Sequence, residues 1–99
     1  MSVEDYRINA QVRAALVRRW IDTSRLHVGT VNRVVYLNGV LCQTYRPRRD
    51  DAKDEINSML SLIKKVEHDI KAIQGVRDVV FGLTNFKKRG GKWRVVARM

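Results

Sequence analysis

The sequence predicts an α+β fold in which two helices pack on one face of a small, three-stranded mixed β-sheet. Residues 31–41 and 73–83 are two short runs rich in β-branched and aliphatic residues, and each contains a Gly at a characteristic place. Each run comes after a stretch whose apolar residues recur at helical spacing. The order helix, strand, strand, helix, strand therefore predicts an αββαβ sandwich.

The first helix is predicted from about residue 3 to residue 20 or 21. Ser2 is placed to cap its N-terminus, and the carboxylates of Glu4 and Asp5 lie in the first turn, where the helix dipole favours negative charge. One face of the helix is apolar at helical spacing, and it comprises Ile8, Val12, Ala15 and Leu16. This face is expected to pack on the sheet.

A β-hairpin is predicted next, from the strands Arg25–Val31 and Val34–Leu41. Asn38-Gly39 is the stronger turn dipeptide by itself, but a turn there would leave only a weak return strand. A turn at Asn32-Arg33 leaves two well-formed strands of similar length. We therefore place the turn at Asn32-Arg33 and interpret Gly39 as a glycine within the second strand.

The second helix is predicted to begin at a cap formed by Asp50 or Asp51 and to end at Gln74-Gly75. Its apolar stripe comprises Ile56, Met59, Leu60, Ile63, Val66, Ile70 and Ile73. The strand Val76–Leu83 follows and completes the sheet.

Residues 1–86 are expected to form the domain, and residues 87–99 a basic C-terminal hairpin or tail. A hairpin would turn at Gly90-Gly91. The predicted strands have apolar side chains on both faces, so the second face of the sheet is expected to be covered. Residues 93–97 as a fourth strand would cover it, and so would a second copy of the protein in a homo-oligomer.

Composition limits the class of protein. The 99 residues suffice for one modest core, and 44% of them are hydrophobic, as in ordinary globular domains. The 20 Lys and Arg residues against 10 Asp and Glu give a net charge of +10, which favours a polyanionic partner. The N-terminus does not resemble a secretion signal, so we expect a cytoplasmic protein, peripheral to a membrane if it binds one. A leader removed from the chain would instead indicate the periplasm.

The sequence contains no pattern that indicates catalysis. His27, His68 and the lone Cys42 provide too few ligands for a metal site, and no local signature marks Cys42 as a nucleophile. The acidic cluster around residues 50–55 is explained by helix capping. We therefore expect a non-enzymatic protein with no cofactor, no metal and no small-molecule substrate.

Two basic segments are the candidate polyanion-binding site, because each places cations next to an aromatic residue. Arg and Lys neutralise phosphates, while Tyr or Trp stacks on a base or settles among lipid headgroups. The alternative is that both segments are merely solvated loops. The candidate residues are Tyr45, Arg46, Arg48 and Arg49 in the first segment and Lys87, Lys88, Arg89, Lys92 and Trp93 in the second.

The order and spacing of these elements resemble the BON domain, a small αββαβ module of bacterial envelope and stress proteins. Residues that fit its pattern are Val34, Tyr36-Leu37, Gly39 and Val40 in the hairpin, and Gly75, Val76, Val79 and Val80 after the second helix. The match covers roughly residues 5–84. The resemblance implies a non-catalytic module that binds anionic phospholipid surfaces or scaffolds an assembly there. A small RNA- or DNA-binding protein is the alternative that the charge leaves open.

Overall fold

A computed structural model describes residues 2–44 and 52–96 of the chain, and the fold is α+β as predicted. The described residues contain two helices, one short 3-10 turn and five strands. They are α1 (Val3–Arg18), the turn Thr23–Arg25, β1 (Leu26–Val31), β2 (Val34–Gly39), α2 (Ala52–Lys71), β3 (Asp78–Leu83), β4 (Phe86–Arg89) and β5 (Lys92–Val95). Within the described ranges, no helix is both long and apolar enough to cross a membrane.

The main sheet has the order β1-β2-β3. Strands β1 and β2 are antiparallel, with Val31 opposite Val34, and β3 runs parallel to β2. The hairpin turn lies at Asn32-Arg33, as predicted. Both turn residues are left-handed, with φ of 51° and 65°, which is the conformation that a two-residue type I′ turn requires.

Helix α1 ends at Arg18, two or three residues earlier than predicted. Trp20 adopts a left-handed φ of 61°, and the N–H groups of Trp20 and Ile21 donate to the carbonyls of Val17 and Leu16 at 3.0 Å. This is the Schellman arrangement that closes many helices, usually with Gly at the left-handed position. The apolar spacing continues through Ile21, which is why the sequence predicted a longer helix.

The strands are shorter than predicted at their outer ends. Strand β2 stops at Gly39, whose φ of 120° takes the chain out of the ladder, so that Leu41 lies beyond the strand. Strand β3 begins at Asp78, not at Val76. The predicted capping residues of α2, Asp50 and Asp51, lie outside the described residues.

The core lies between the two helices and the inner face of the main sheet. Ile8 of α1, Ile63 of α2 and Leu37 of β2 have no solvent-exposed surface. Both predicted apolar helix faces point into this core, since Val12 and Leu16 of α1 and Met59, Val66 and Ile70 of α2 are also buried.

Strands β4 and β5 form a separate two-stranded hairpin that turns at Gly90-Gly91. This hairpin, which we call the ribbon, contacts α2 through β5 and adds Phe86 and Trp93 to the common core. One of the two candidates for covering the second face of the sheet was residues 93–97, folding back as a fourth strand. This alternative is wrong for the part described, because residues 92–95 pair with β4. The prediction of an additional C-terminal hairpin is confirmed.

Candidate polyanion-binding surfaces

Four cations point outward from one face of the ribbon: Lys87, Arg89, Lys92 and Arg94. They are directly opposite one another in two pairs, Lys87 with Arg94 and Arg89 with Lys92. Like charges in this relation destabilise a hairpin. Among residues 2–44 and 52–96, no carboxylate lies within ion-pair distance of any of the four. The ribbon therefore presents a concentration of positive charge to solvent.

The other face of the ribbon is fixed to α2 by Glu67. Its two carboxylate oxygens accept hydrogen bonds from Lys88 Nζ at 2.6 Å and from the Trp93 indole N–H at 3.2 Å, and Lys71 Nζ lies 3.3 Å away. Burial tends to raise the pKa of Glu67, but the hydrogen bonds from Lys88, Trp93 and Lys71 outweigh burial and lower it. Lys88, which was predicted to contact a polyanion, is therefore paired with Glu67 of the same chain.

Trp93 is a core residue and not an exposed stacking platform. Only 7% of it is exposed, and its ring meets those of Phe81 and Phe86 edge-on, with centroids 4.9 and 6.4 Å apart. Lys88 Nζ lies 5.5 Å from the Trp93 ring centroid. The expectation that Trp93 stacks on a base or enters a headgroup layer is therefore incorrect, because burial against these rings leaves no free face.

Of the predicted site residues, Lys87, Arg89 and Lys92 are brought together on the outer face of the ribbon, and Arg94 joins them there. The other predicted segment, Tyr45, Arg46, Arg48 and Arg49, lies outside the described residues. Of the predicted site residues that the structure describes, it therefore brings three together on one surface, and Lys88 and Trp93 lie on the other face of the ribbon.

A second surface, which was not predicted from the sequence, is the solvent face of α1. It combines apolar residues spaced three or four apart, followed by an exposed Trp: Val3, Tyr6, Ala10, Ala14, Val17 and Trp20. The large side chains among them are well exposed, at 86% for Val3, 65% for Tyr6, 62% for Val17 and 66% for Trp20. Arg13 and Arg18, both exposed, flank this row. We call this surface the α1 face.

The signal for the α1 face was present in the sequence. Helix α1 has apolar residues at helical spacing on two opposite sides, and only the side that contains Ile8 and Val12 was predicted to be an apolar face. A helix with one buried face and one solvent face normally has polar residues on the solvent face. The second apolar row on α1 departs from this rule, and such a departure indicates a binding surface.

The backbone fixes Trp20 just beyond the C-terminal end of α1. Its carbonyl accepts hydrogen bonds from the Thr44 N–H at 2.7 Å and the Thr44 hydroxyl at 3.2 Å. Beside it, a polar groove of about 360 Å³ runs between the end of α1 and α2, and its cationic side chains are Arg18, Arg19 and Lys65. Arg19 pairs with Asp69 at 2.5 Å, and this hydrogen bond lowers the pKa of the Asp69 carboxyl.

The residues considered for catalysis do not come together. His27 lies on the outer face of β1 and His68 on the exposed side of α2, while Cys42 is half-buried and contacts Arg25 Nη1 at 4.0 Å. Among the described residues, no group of three or more His, Cys, Asp and Glu side chains could hold a metal ion.

Comparison with known protein families finds no family that matches this chain, and comparison with curated proteins finds no match either.

Proposed function

We propose that this protein is a non-enzymatic module that binds anionic phospholipid surfaces. The observation that carries the proposal is the α1 face, a row of exposed apolar side chains with an aromatic residue toward each end and arginines beside it. Such contiguous apolar surface is uncommon on a domain that has nothing to bind. The resemblance to BON domains implies the same class of ligand.

The chemistry of the α1 face suits the boundary between headgroups and acyl chains. Tyr and Trp are favoured at that depth because the ring is apolar and its polar atom can stay in water. Arg13 and Arg18 can keep their charges at phosphate level while their stems lie along the apolar row. A helix that lies in the plane of the interface needs this combination of an apolar face and basic flanks.

The ribbon supplies attraction over a longer range. Each Lys or Arg near an anionic leaflet contributes about 1 kcal/mol, and this contribution falls off within a Debye length. The four outward cations of the ribbon have no carboxylate partner among the described residues, so their charge remains available to an external anion.

Cosedimentation with vesicles of phosphatidylglycerol and phosphatidylcholine tests the proposal. Burying one large apolar side chain contributes roughly 1.5–3 kcal/mol, so Tyr6→Ser should weaken binding about tenfold or more. Trp20→Gly should weaken binding similarly yet raise the unfolding temperature, because Gly relieves the left-handed strain at this position. Val80→Ser, an exposed apolar residue on the opposite layer, is the matched control and should bind like the parent chain.

Binding that is unchanged in both Tyr6→Ser and Trp20→Gly would refute the use of the α1 face. Vesicles of pure phosphatidylcholine are a further control. Binding to them should be weaker, because without anionic lipid the cations of the ribbon no longer contribute to binding.

Nucleic-acid binding is the second candidate, and the ribbon is the observation that favours it. A two-stranded β-ribbon fits the major groove of duplex DNA, and outward Lys and Arg side chains would meet phosphates. The burial of Trp93 disfavours the single-stranded mode, which relies on base stacking. If duplex DNA is the ligand, Arg89→Gln with Arg94→Gln should lower the salt slope by about one unit per lost phosphate contact, while Tyr6→Ser should leave binding unchanged.

A further inference from the structure

The polar groove between the end of α1 and α2 has a volume of about 360 Å³ and two walls of different origin. On α2, the lining residues Ser58, Ser61 and Lys65 are three and four positions apart, so their side chains share one side of the helix. The end of α1 forms the opposite wall with Arg18 and Trp20. Hydroxyl and cationic groups therefore face one another across the groove.

The wall at the end of α1 is held in place by the chain that follows β2. The Gln43 side-chain amide donates a hydrogen bond to the Arg19 carbonyl at 3.0 Å, and the Asp22 N–H donates to the Cys42 carbonyl at 2.8 Å. The Arg19 side chain is fixed in turn by its ion pair with Asp69. A groove with walls ordered in this way loses less conformational entropy when it binds a ligand.

The three charged side chains that line the groove are all cationic: Arg18, Arg19 and Lys65. Asp69 neutralises Arg19, since both of its oxygens accept hydrogen bonds from that guanidinium, and its pKa is lowered chiefly by Arg19 and further by the charge of Arg18. Arg18 and Lys65 are exposed, and no carboxylate among residues 2–44 and 52–96 lies within ion-pair distance of either. The groove therefore attracts an anion.

The donors of the groove suit a phosphate monoester better than a phosphate diester. A monoester carries a charge of about −1.5 to −2 near pH 7 and has three oxygens that accept strong hydrogen bonds, whereas a diester carries a single negative charge. Arg18 can offer two parallel N–H groups to such oxygens, and Lys65 a compact positive charge. The hydroxyls of Ser58 and Ser61 can donate to the oxygens that remain.

We propose that this groove binds a phosphate monoester, with Arg18 and Lys65 on its charged oxygens and Ser58 and Ser61 as hydrogen-bond donors. The group belongs to a lipid headgroup or to a soluble molecule, and only the lipid source rests on the function proposed above. Trp20 belongs to both the α1 face and the groove, so a protein seated on a membrane by that face would hold the groove near the phosphates. The volume of the groove lies within the range of ordinary ligand sites.

Titration with glycerol 3-phosphate tests the groove without a membrane, and sodium chloride at the same ionic strength is the reference. The chain has two Trp residues, of which Trp93 is buried, so a change in fluorescence reports mainly on Trp20. We expect saturable binding in the millimolar range. Lys65→Gln should weaken it about tenfold, and Ser61→Ala about threefold without any change in charge. Lys64→Gln removes the same charge from a neighbour that does not line the groove, so this matched control should bind like the wild type.

Vesicles distinguish a lipid source from a soluble one. Phosphatidic acid has a phosphate monoester as its headgroup and phosphatidylglycerol a diester, and the two are compared in phosphatidylcholine at equal surface charge. If the ligand is a lipid, the wild-type chain should bind phosphatidic acid at least about threefold more tightly. Lys65→Gln should lose this preference and still bind phosphatidylglycerol through the α1 face.

The outcomes separate this inference from the function on which its lipid form rests. If glycerol 3-phosphate does not bind saturably and phosphatidic acid is not preferred, the groove is not a phosphate site, whether or not phosphatidylglycerol vesicles bind. Binding of glycerol 3-phosphate that depends on Lys65, in a chain that binds no vesicles, would support the groove with a soluble ligand and refute the membrane function. Equal weakening by Lys64→Gln and Lys65→Gln would show that net charge alone attracts the ester, and would overturn the proposal.

Discussion

Asp5 joins helix α1 to the β1–β2 turn. Its side chain is 4% exposed, and its carboxylate accepts hydrogen bonds from the backbone N–H groups of Asn32 at 3.1 Å and Arg33 at 2.8 Å. Both donors belong to left-handed residues, so the carboxylate stabilises a turn that the backbone alone disfavours. From the sequence, Asp5 was predicted only to lie in the first turn of α1, where the helix dipole favours its negative charge. No pattern in the sequence indicated its hydrogen bonds to the β1–β2 turn.

The pH dependence of stability should reveal that role. The hydrogen bonds from Arg33 and Asn32 lower the pKa of Asp5 from its ordinary value of 3.8. A lowered folded-state pKa contributes stability that is present above the unfolded pKa and is lost as the pH falls through the folded one. We therefore expect the wild-type chain to lose unfolding free energy below about pH 4 more steeply than Asp5→Asn, in urea titrations from pH 7 to pH 2.

Because Glu4, Asp22, Glu67 and Asp69 also have lowered pKa values, only the difference between wild type and variant isolates Asp5. Parallel stability curves for the two proteins would contradict the assignment.

Local sequence patterns predicted the main sheet and its hairpin, but they did not predict the environment of the ribbon. The turn at Asn32-Arg33 follows from the lengths of its flanking strands, and the Gly90-Gly91 turn from its dipeptide. Trp93 looked like a surface residue because its neighbours Lys92 and Arg94 are basic. Its burial depends on Phe81 and Glu67, which are distant in sequence, so no local pattern could reveal it.

Glu67 is expected to determine how firmly the ribbon is attached to α2. Glu67→Gln keeps the shape of the side chain but removes the charge that attracts Lys88 and Lys71, and hydrogen bonds to charged groups contribute about 1.5–3 kcal/mol. Since Lys88 and Glu67 are partly exposed, a loss of about 1–2 kcal/mol of unfolding free energy is expected.

Hydrogen exchange should locate the effect of Glu67→Gln, with faster exchange in β4 and β5 and little change in β1 and β2. A matched change at an exposed ion pair, Glu4→Gln, should leave the ribbon amides unaffected. Uniform exchange changes across both sheets would show that Glu67 acts on global stability and not on the ribbon.

The ribbon is part of the domain and not an extension that follows it. The sequence placed a boundary between residues 86 and 87, yet β4 spans that position and Phe86 and Trp93 lie in the common core. The Cα radius of gyration of 13.5 Å matches the roughly 13 Å expected for one compact domain of this length. Asn85 strengthens the connection, because its side-chain amide exchanges hydrogen bonds with the backbone of Leu41 at 2.8 and 3.2 Å.

A chain that ends at Thr84 should therefore fail to fold cooperatively. It lacks Asn85, Phe86 and Trp93, and the loss of each large aromatic side chain from a core costs about 3–5 kcal/mol. Two such losses approach the roughly 5–15 kcal/mol that stabilises a whole domain. The full-length double variant Lys87→Ser with Arg89→Ser, which removes charge but keeps both aromatic residues, should retain a single unfolding transition in urea. A sharp, native-like transition in the truncated chain would instead make residues 87–99 the separate extension that the sequence suggested.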